Sequence, residues 1–442
     1  MTSLRLLCTV LLLGSGLTGA GSVIAATEAS PAPAISPALP EIPDWKCNVR
    51  DHGAKGDGVA DDTAALQAAI DAARQAGGGR VEIPAGVYLS GPLQLSSRLN
   101  LHLASGATLK MLPLDQYPGG TQRGENFLSG AELHDIAITG PGTIDGQGAP
   151  WWPFAKVTGA RRPRMIVLSS CERILIEQVT LRDSPMFHIA ISGRSSDVTV
   201  RGVTIRAPAS TDPKTPSHNT DACDVSGHTI LVENCDISVG DDNFTCGGNT
   251  HDVLITHNTY GNGHGVSIGS YTNGGVSNIT VTDCTFTHTD CGIRIKSDRD
   301  RGGHVENLVY ENLRMTDIEF PILVYGNYLA KEREFRDLHH LTPEIAARYP
   351  AKPVAERTPV FRHITFRNIT ATASPGRRAG LIWGLPETPA SDILLQNVSI
   401  KADLPFGVYN AENVRFENCT ITTPDGVNKL STGDAKVTIT PP

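Results

Sequence analysis

Aromatic residues make up only 5% of this 442-residue chain, and charged residues only 19%, while glycine reaches 44. That balance suits many short strands joined by tight turns, and the absence of heptads excludes a coiled coil. Basic residues are outnumbered: the net charge is −8 and the pI about 6.0, which argues against a nucleic-acid or membrane-surface partner. The N-terminal apolar stretch, Leu6 to Leu13, is too short to span a membrane. No CxxC pair or His/Cys spacing suggests zinc, so neither a metal nor a cofactor is expected.

What is present at the N-terminus reads as an export signal. Met-Thr-Ser-Leu-Arg carries a positive charge into the apolar stretch, and Val23-Ile24-Ala25 resembles a signal-peptidase site. Residues 1–25 are therefore a predicted signal peptide, and Cys8 within it lacks a lipoprotein box. Residues 26–44 include the Pro/Ala/Ser-rich SPAPAISPALPEIP and predict an extended, poorly ordered linker. The folded part is expected over 45–442, in a secreted protein (extracellular or periplasmic) acting as a monomer. Eight cysteines remain, for which export makes disulfides the default. Cys235, Cys284 and Cys419, however, share one position of a repeat, which favours small apolar residues in an inner stack.

The repeat reads ILIEQVTL (174), VTVRGVTI (198), ILVENCDI (230), VLITHNTY (253), ITVTDCTF (279), LVYENLRM (308), ITFRNITA (364), ILLQNVSI (393) and VRFENCTI (414). An earlier unit is IAITGPGTI (136). β-Branched and polar residues alternate, and each unit turns at Asn, Asp or Gly. Most starts lie 21 to 32 residues apart, and one gap of 56 holds an insertion, Ala330 to Glu356, predicted as a loop or short helix at the groove's rim. The period predicts an all-β, right-handed parallel β-helix. A helix from Asp61 through Ala76, with Asp caps and apolar Leu66, Ala69, Ile70 and Ala73, is predicted to cap its open first coil.

Four motifs stand in step with this period: Asn219-Thr220-Asp221, Gly240-Asp241-Asp242, Gly263-His264-Gly265 and Arg294-Ile295-Lys296. Asp221 and Asp242 are 21 residues apart, and Asp242 and His264 are 22 apart. One period is one coil, so such residues stack about 4.8 Å from each other. Adjacent acids are usually solvated turn residues, and Gly-Asp-Asp alone carries little information. With Asp221 one coil away, mutual repulsion should raise at least one pKa and supply a proton donor. Most of the 14 histidines read as turn residues, His218, His251, His257 and His288 among them; His264 differs by its phase. Arg294 and Lys296, two apart, face the same side of a strand and suggest a socket for an anionic group rather than two exposed charges.

Together with NVRDHGAKGDGVADDTAALQAAI and GPGTIDGQGAPWW, these motifs resemble glycoside hydrolase family 28, the polygalacturonase family, over nearly all of the mature chain. The resemblance implies inverting hydrolysis of α-1,4-linked galacturonan in pectin, a polysaccharide substrate. It makes Asp241 the general acid, Asp221 and Asp242 the pair that activates water, and His264 the residue that holds the acid's protonation state. Arg294 and Lys296 would bind the sugar carboxylate, with Asn219 also at a substrate-binding position; Tyr328 fits the family tyrosine better than Tyr325. Asn243 replaces a cysteine common in fungal members, which removes a local disulfide.

Competing readings are a hydrolase of rhamnogalacturonan or xylogalacturonan, a calcium-dependent pectate lyase on the same fold, and a non-enzymatic glycan-binding fibre. The intact Gly-His-Gly and paired aspartates favour polygalacturonate.

Overall fold

The computed structural model describes residues 35–120 and 122–440. The predicted signal peptide and the first part of the linker lie outside these residues. The linker's remainder is tied down rather than free: the backbone N–H groups of Ala38 and Glu41 donate to Asp197 and Asp135.

Each repeat forms a strand of a right-handed parallel β-helix. Glu172–Glu177, Ser196–Arg201, His228–Glu233, Thr250–Thr256 and Val276–Thr282 pair in parallel, with Ile174, Val198, Ile230, Val253 and Ile279 in one register line. The apolar half of each alternation points inward and is buried, so every coil adds a layer to one continuous core. Two shorter strands complete a coil, giving three parallel stacks. Turns after the first strand need a left-handed residue, which Asn and Asp tolerate. Asn312, Asn368, Asn397 and Asn418 all have φ between 51° and 55°. Their side chains form a ladder, each donating to the residue of the coil before it. Cys235, Cys284 and Cys419 follow this turn and are buried with free thiols, and no disulfide joins any cysteine among the described residues.

The helix α1 (Thr63–Gln75) buries Leu66, Ala69, Ile70 and Ala73 against the strands Lys46–Asn48 and Gly79–Ile83. Its acids act differently from the expected caps. Asp61 accepts from the Thr63 N–H, whereas the Asp62 carboxylate accepts from Lys55 and Gly56 and braces the preceding loop.

The third stack carries the site. Its strands are β1 (Ile189–Ser192), β2 (Cys223–Val225), β3 (Phe244–Cys246), β4 (Val266–Ile268), β5 (Cys291–Lys296) and β6 (Phe320–Tyr325). Register runs Ala190, Asp224, Thr245, Ser267, Arg294, Leu323 on the outward face. Beyond β5 this outer face turns apolar, with Leu323, Tyr325, Leu381, Trp383 and Tyr409 all buried. The insertion covers it with the one-turn helices α2 (Arg333–Arg336) and α3 (Pro343–Ala346), packing Phe335, Leu341, Ala346 and Tyr349 as a second, external core. Tyr349 meets Trp383 edge-on at 5.5 Å. The insertion is thus a built layer on the solenoid's outer wall, with short helices as expected.

Candidate active site

Asp221, Asp242 and His264 each stand two residues before a strand of the third stack, and the register of Cys223 with Phe244 and of Phe244 with Val266 places them one coil apart. The backbone is locked across these coils: Ala222 donates to the Asp242 carbonyl, and His264 to that of Asp241. Asp241 and Asp242 both reach one cleft of about 810 Å³, also lined by Asn219, Asp221, Asp224, His264, Arg294, Lys296 and Tyr328. Carboxylate oxygens of Asp221, Asp241 and Asp242 lie within 4.8 Å of one another. All eight residues expected at the site therefore meet in it.

The three acids have unlike surroundings. Asp242 is 3% exposed; one oxygen takes Ser267 Oγ at 2.6 Å and Arg294, and the other takes Lys296 Nζ at 3.1 Å. Burial alone would raise this carboxyl, but Arg294 and Lys296 outweigh it and hold Asp242 well below its ordinary range. Asp221 is buried with one oxygen lacking any partner, and burial, with Asp241 and Asp242 beside it, pushes its carboxyl well above the ordinary range. The pKa rise expected from crowding thus falls on Asp221. Asp241 is partly exposed and accepts from the Asn219 N–H at 3.1 Å and its side-chain amide at 3.2 Å, both through Oδ2. A divalent ion bound by this trio would sit against two resident cations, so the donor set suits a calcium site poorly.

His264 bridges two acids. Nε2 is 3.5 Å from Asp241 Oδ1, and Nδ1 is 2.6 Å from Asp290 Oδ2, within ion-pair range though not aligned as a hydrogen bond. Tyr328 places its ring 5.4 Å from Lys296 Nζ and opens to the cleft, whereas Tyr325 is buried beneath. His218, His251, His257 and His288 are exposed, as read from their turns.

Several contributors escape a motif reading. Asn243 is fully buried: its amide donates to the Asn262 carbonyl at 3.0 Å, and its oxygen accepts from Gly265 N at 2.8 Å. It thereby pins the turn that presents His264. Asp224, three residues after Asp221, faces the cleft, and burial pushes its carboxyl up to about 6, Asp242 adding and Arg164 and Lys296 opposing. Register with Arg294 was the available signal for both Asp224 and Ser267. Arg162 reaches Asn219 from 57 residues away in sequence, and nothing local announces it.

The family model for glycosyl hydrolases family 28 matches residues 75–340. The chain belongs to this family. An endo-polygalacturonase of Pectobacterium carotovorum subsp. carotovorum is 30% identical over 381 residues, 79% of this chain and 86% of that protein. An exopolygalacturonase of Zea mays is also 30% identical, over 366 residues, 79% of this chain and 82% of that protein. Among solved structures, the polygalacturonase from Erwinia carotovora ssp. carotovora superposes with a TM-score of 0.65 at 26% identity, covering 91% of this chain and 98% of that one. The exopolygalacturonase from Thermotoga maritima superposes at 0.70 with 22% identity, covering 90% and 94%, and supports the fold alone. As a family 28 member the chain is a glycoside hydrolase.

Proposed function

We propose that this hydrolase cleaves α-1,4-galacturonosyl linkages of pectic polygalacturonate with inversion. The observation that carries the reading is the pairing of acids with cations: two buried cations beside a carboxylate cleft, in a protein of net negative charge. Lys296 spends one N–H on Asp242 and has others for a sugar carboxylate.

Asp241, the more exposed acid, protonates the glycosidic oxygen as the bond breaks. Asp242, held anionic by Arg294 and Lys296, takes a proton from the attacking water, while Asp221 orients that water. Oxygens within 4.8 Å of each other suit one water making two hydrogen bonds of about 2.7–2.8 Å. The water oxygen bonds to the anomeric carbon as the leaving sugar departs, so the new hemiacetal has opposite configuration. Inverting pairs usually stand about 6.5–9.5 Å apart to admit that water, and the anomer released reports the outcome.

Incubation with polygalacturonate should release reducing ends, insensitive to EDTA and without unsaturated products absorbing in the ultraviolet. Proton NMR of early products should show the β-anomer. Asp241→Asn should cut the rate by about 10²–10⁴-fold with the fold unchanged. Chelator-abolished cleavage with ultraviolet absorbance would mean a lyase, and binding without cleavage a glycan-binding fibre.

The export signal expected from the sequence is in keeping with this assignment, since pectin is an extracellular polymer. We read residues 1–25 as the signal, 26–44 as a linker and 45–442 as a monomeric catalytic domain acting on cell-wall pectin outside the cytoplasm. No described helix is long and apolar enough to cross a membrane.

A further inference from the structure

We infer that the cleft is blind at one end, so that pectic chains enter it end-on and each hydrolysis releases a short product of constant length. This rests on the polygalacturonate reading above. The outward face of the third stack carries Asp224, Thr245, Ser267 and Arg294, a polar floor on four successive coils. One coil further, about 4.8 Å on, the same register position is Leu323, which is 3% exposed. Tyr325, in register with Lys296, is covered as well, and the face continues as Leu381, Trp383 and Tyr409 under the insertion. A sugar chain running along the coils past Arg294 and Lys296 therefore meets protein.

The obstruction is fixed in place. Arg299, the third residue after Lys296, donates to Glu387 at 2.5 Å and to the Pro350 carbonyl at 2.8 Å, and stacks on Tyr349 at 4.8 Å. On the far side, Arg378 donates to the Leu341 carbonyl at 2.7 Å, and Tyr409 to the same carbonyl at 3.0 Å. The insertion is thus held at the Leu341 edge by buried hydrogen bonds, which are costly to break, and at the Pro350 edge by an exposed one beside the packed Tyr349 ring, so its apolar core stays seated on the wall.

The opposite direction opens further on. From Asp224 the register line continues through Ala190, still covered at 5% exposure, to half-buried Val167 and Ser129 and exposed Gln94, with no second apolar core over it among the described residues. Beside Gln94 and Ser129 lies a cavity of about 440 Å³ that also presents Arg123, Arg161 and one acid, Glu125; its two cations outnumber the acid and suit further carboxylates of the chain. The polymer's long arm thus lies towards the N-terminal coils, and only a short arm fits between the acids and the wall. Relatives with either mode of attack are equally similar at 30% identity, so identity does not decide the matter.

The test is the product ladder of the wild-type enzyme on long polygalacturonate, with viscosity and reducing ends followed together. The expected result is one short product from the earliest samples, with viscosity falling far more slowly than reducing ends accumulate. A ladder of intermediate lengths with a steep early loss of viscosity would overturn the inference while leaving the polygalacturonase assignment standing. No reducing ends from this polymer would overturn that assignment and the inference with it.

Discussion

The Arg162 guanidinium donates to the Asn219 side-chain oxygen at 2.9 Å, and this bond fixes which way the amide faces. With its oxygen occupied, Asn219 turns its nitrogen to Asp241 and donates at 3.2 Å. Arg162 also ties down the His218 carbonyl at 2.6 Å, the residue just before the motif. It touches no reacting atom, so it acts by positioning.

Arg162→Ala should lower kcat by roughly 10- to 150-fold, the scale of a lost charge-assisted hydrogen bond of about 1.5–3 kcal/mol, with little change in KM. A merely structural arginine would lower thermal stability and activity together, so a stability measurement beside the kcat and KM values distinguishes the two.

Much of this site was legible because a parallel β-helix turns sequence offset into position. Spacings of 21 and 22 residues put Asp221, Asp242 and His264 on one wall, and the alternation within each repeat told inside from outside. What stayed hidden depends on contacts between coils and on turns without a period. Asp290 and Asn243 act through the geometry of the turn that carries His264. Crowding was foreseeable, but its unequal outcome follows from which acid Arg294 and Lys296 reach: they take Asp242 and leave Asp221 unpaired. The insertion's charged sequence gave little hint that Phe335, Leu341 and Tyr349 would form a second core on the outer wall.

Asp221 trades stability for function. Its folded carboxyl titrates well above the unfolded one, so the folded state binds the extra proton. For a raised acid the sign is that stability falls as pH rises from the unfolded value, about 3.9, through the folded one. Asp221→Asn carries no such proton. It should be inactive yet more stable than wild type at neutral pH, with the difference shrinking as pH falls through the folded value and levelling off by about 4. Chemical denaturation at several pH values would show it; an equal or lower stability of the variant at neutral pH would contradict the account.

Asp224 supplies a pH dependence of binding. Its carboxyl, pushed up to about 6 by burial in the cleft floor, ionises around that pH and then repels a galacturonate carboxylate. KM for polygalacturonate should rise as pH passes about 6, since the protonated form binds the anion better. Asp224→Asn should flatten that rise while leaving kcat within a few-fold. Steady-state kinetics across this range would settle it, and an unchanged KM profile in the variant would remove Asp224 from substrate recognition.

Lys296 tests the anionic substrate directly. A lysine that only bound substrate would, on Lys296→Ala, weaken use of polygalacturonate with little effect on thermal stability. The structure changes the second half, because Lys296 is 5% exposed and pairs with buried Asp242. Breaking a buried pair costs about 3–5 kcal/mol when no partner remains. Arg294 stays on Asp242, so the loss here should be smaller but measurable. Activity on polygalacturonate should fall roughly 10- to 150-fold, the range of a charge-assisted contact of about 1.5–3 kcal/mol. Methyl-esterification removes the same charge from the substrate, so the two changes should not add. The folded variant should be nearly indifferent to ester content, while wild type loses activity as esters accumulate. Kinetics of both proteins on pectins of graded esterification would decide. Parallel decline would mean that Lys296 serves Asp242 alone, leaving recognition of the sugar carboxylate to other cations of the cleft.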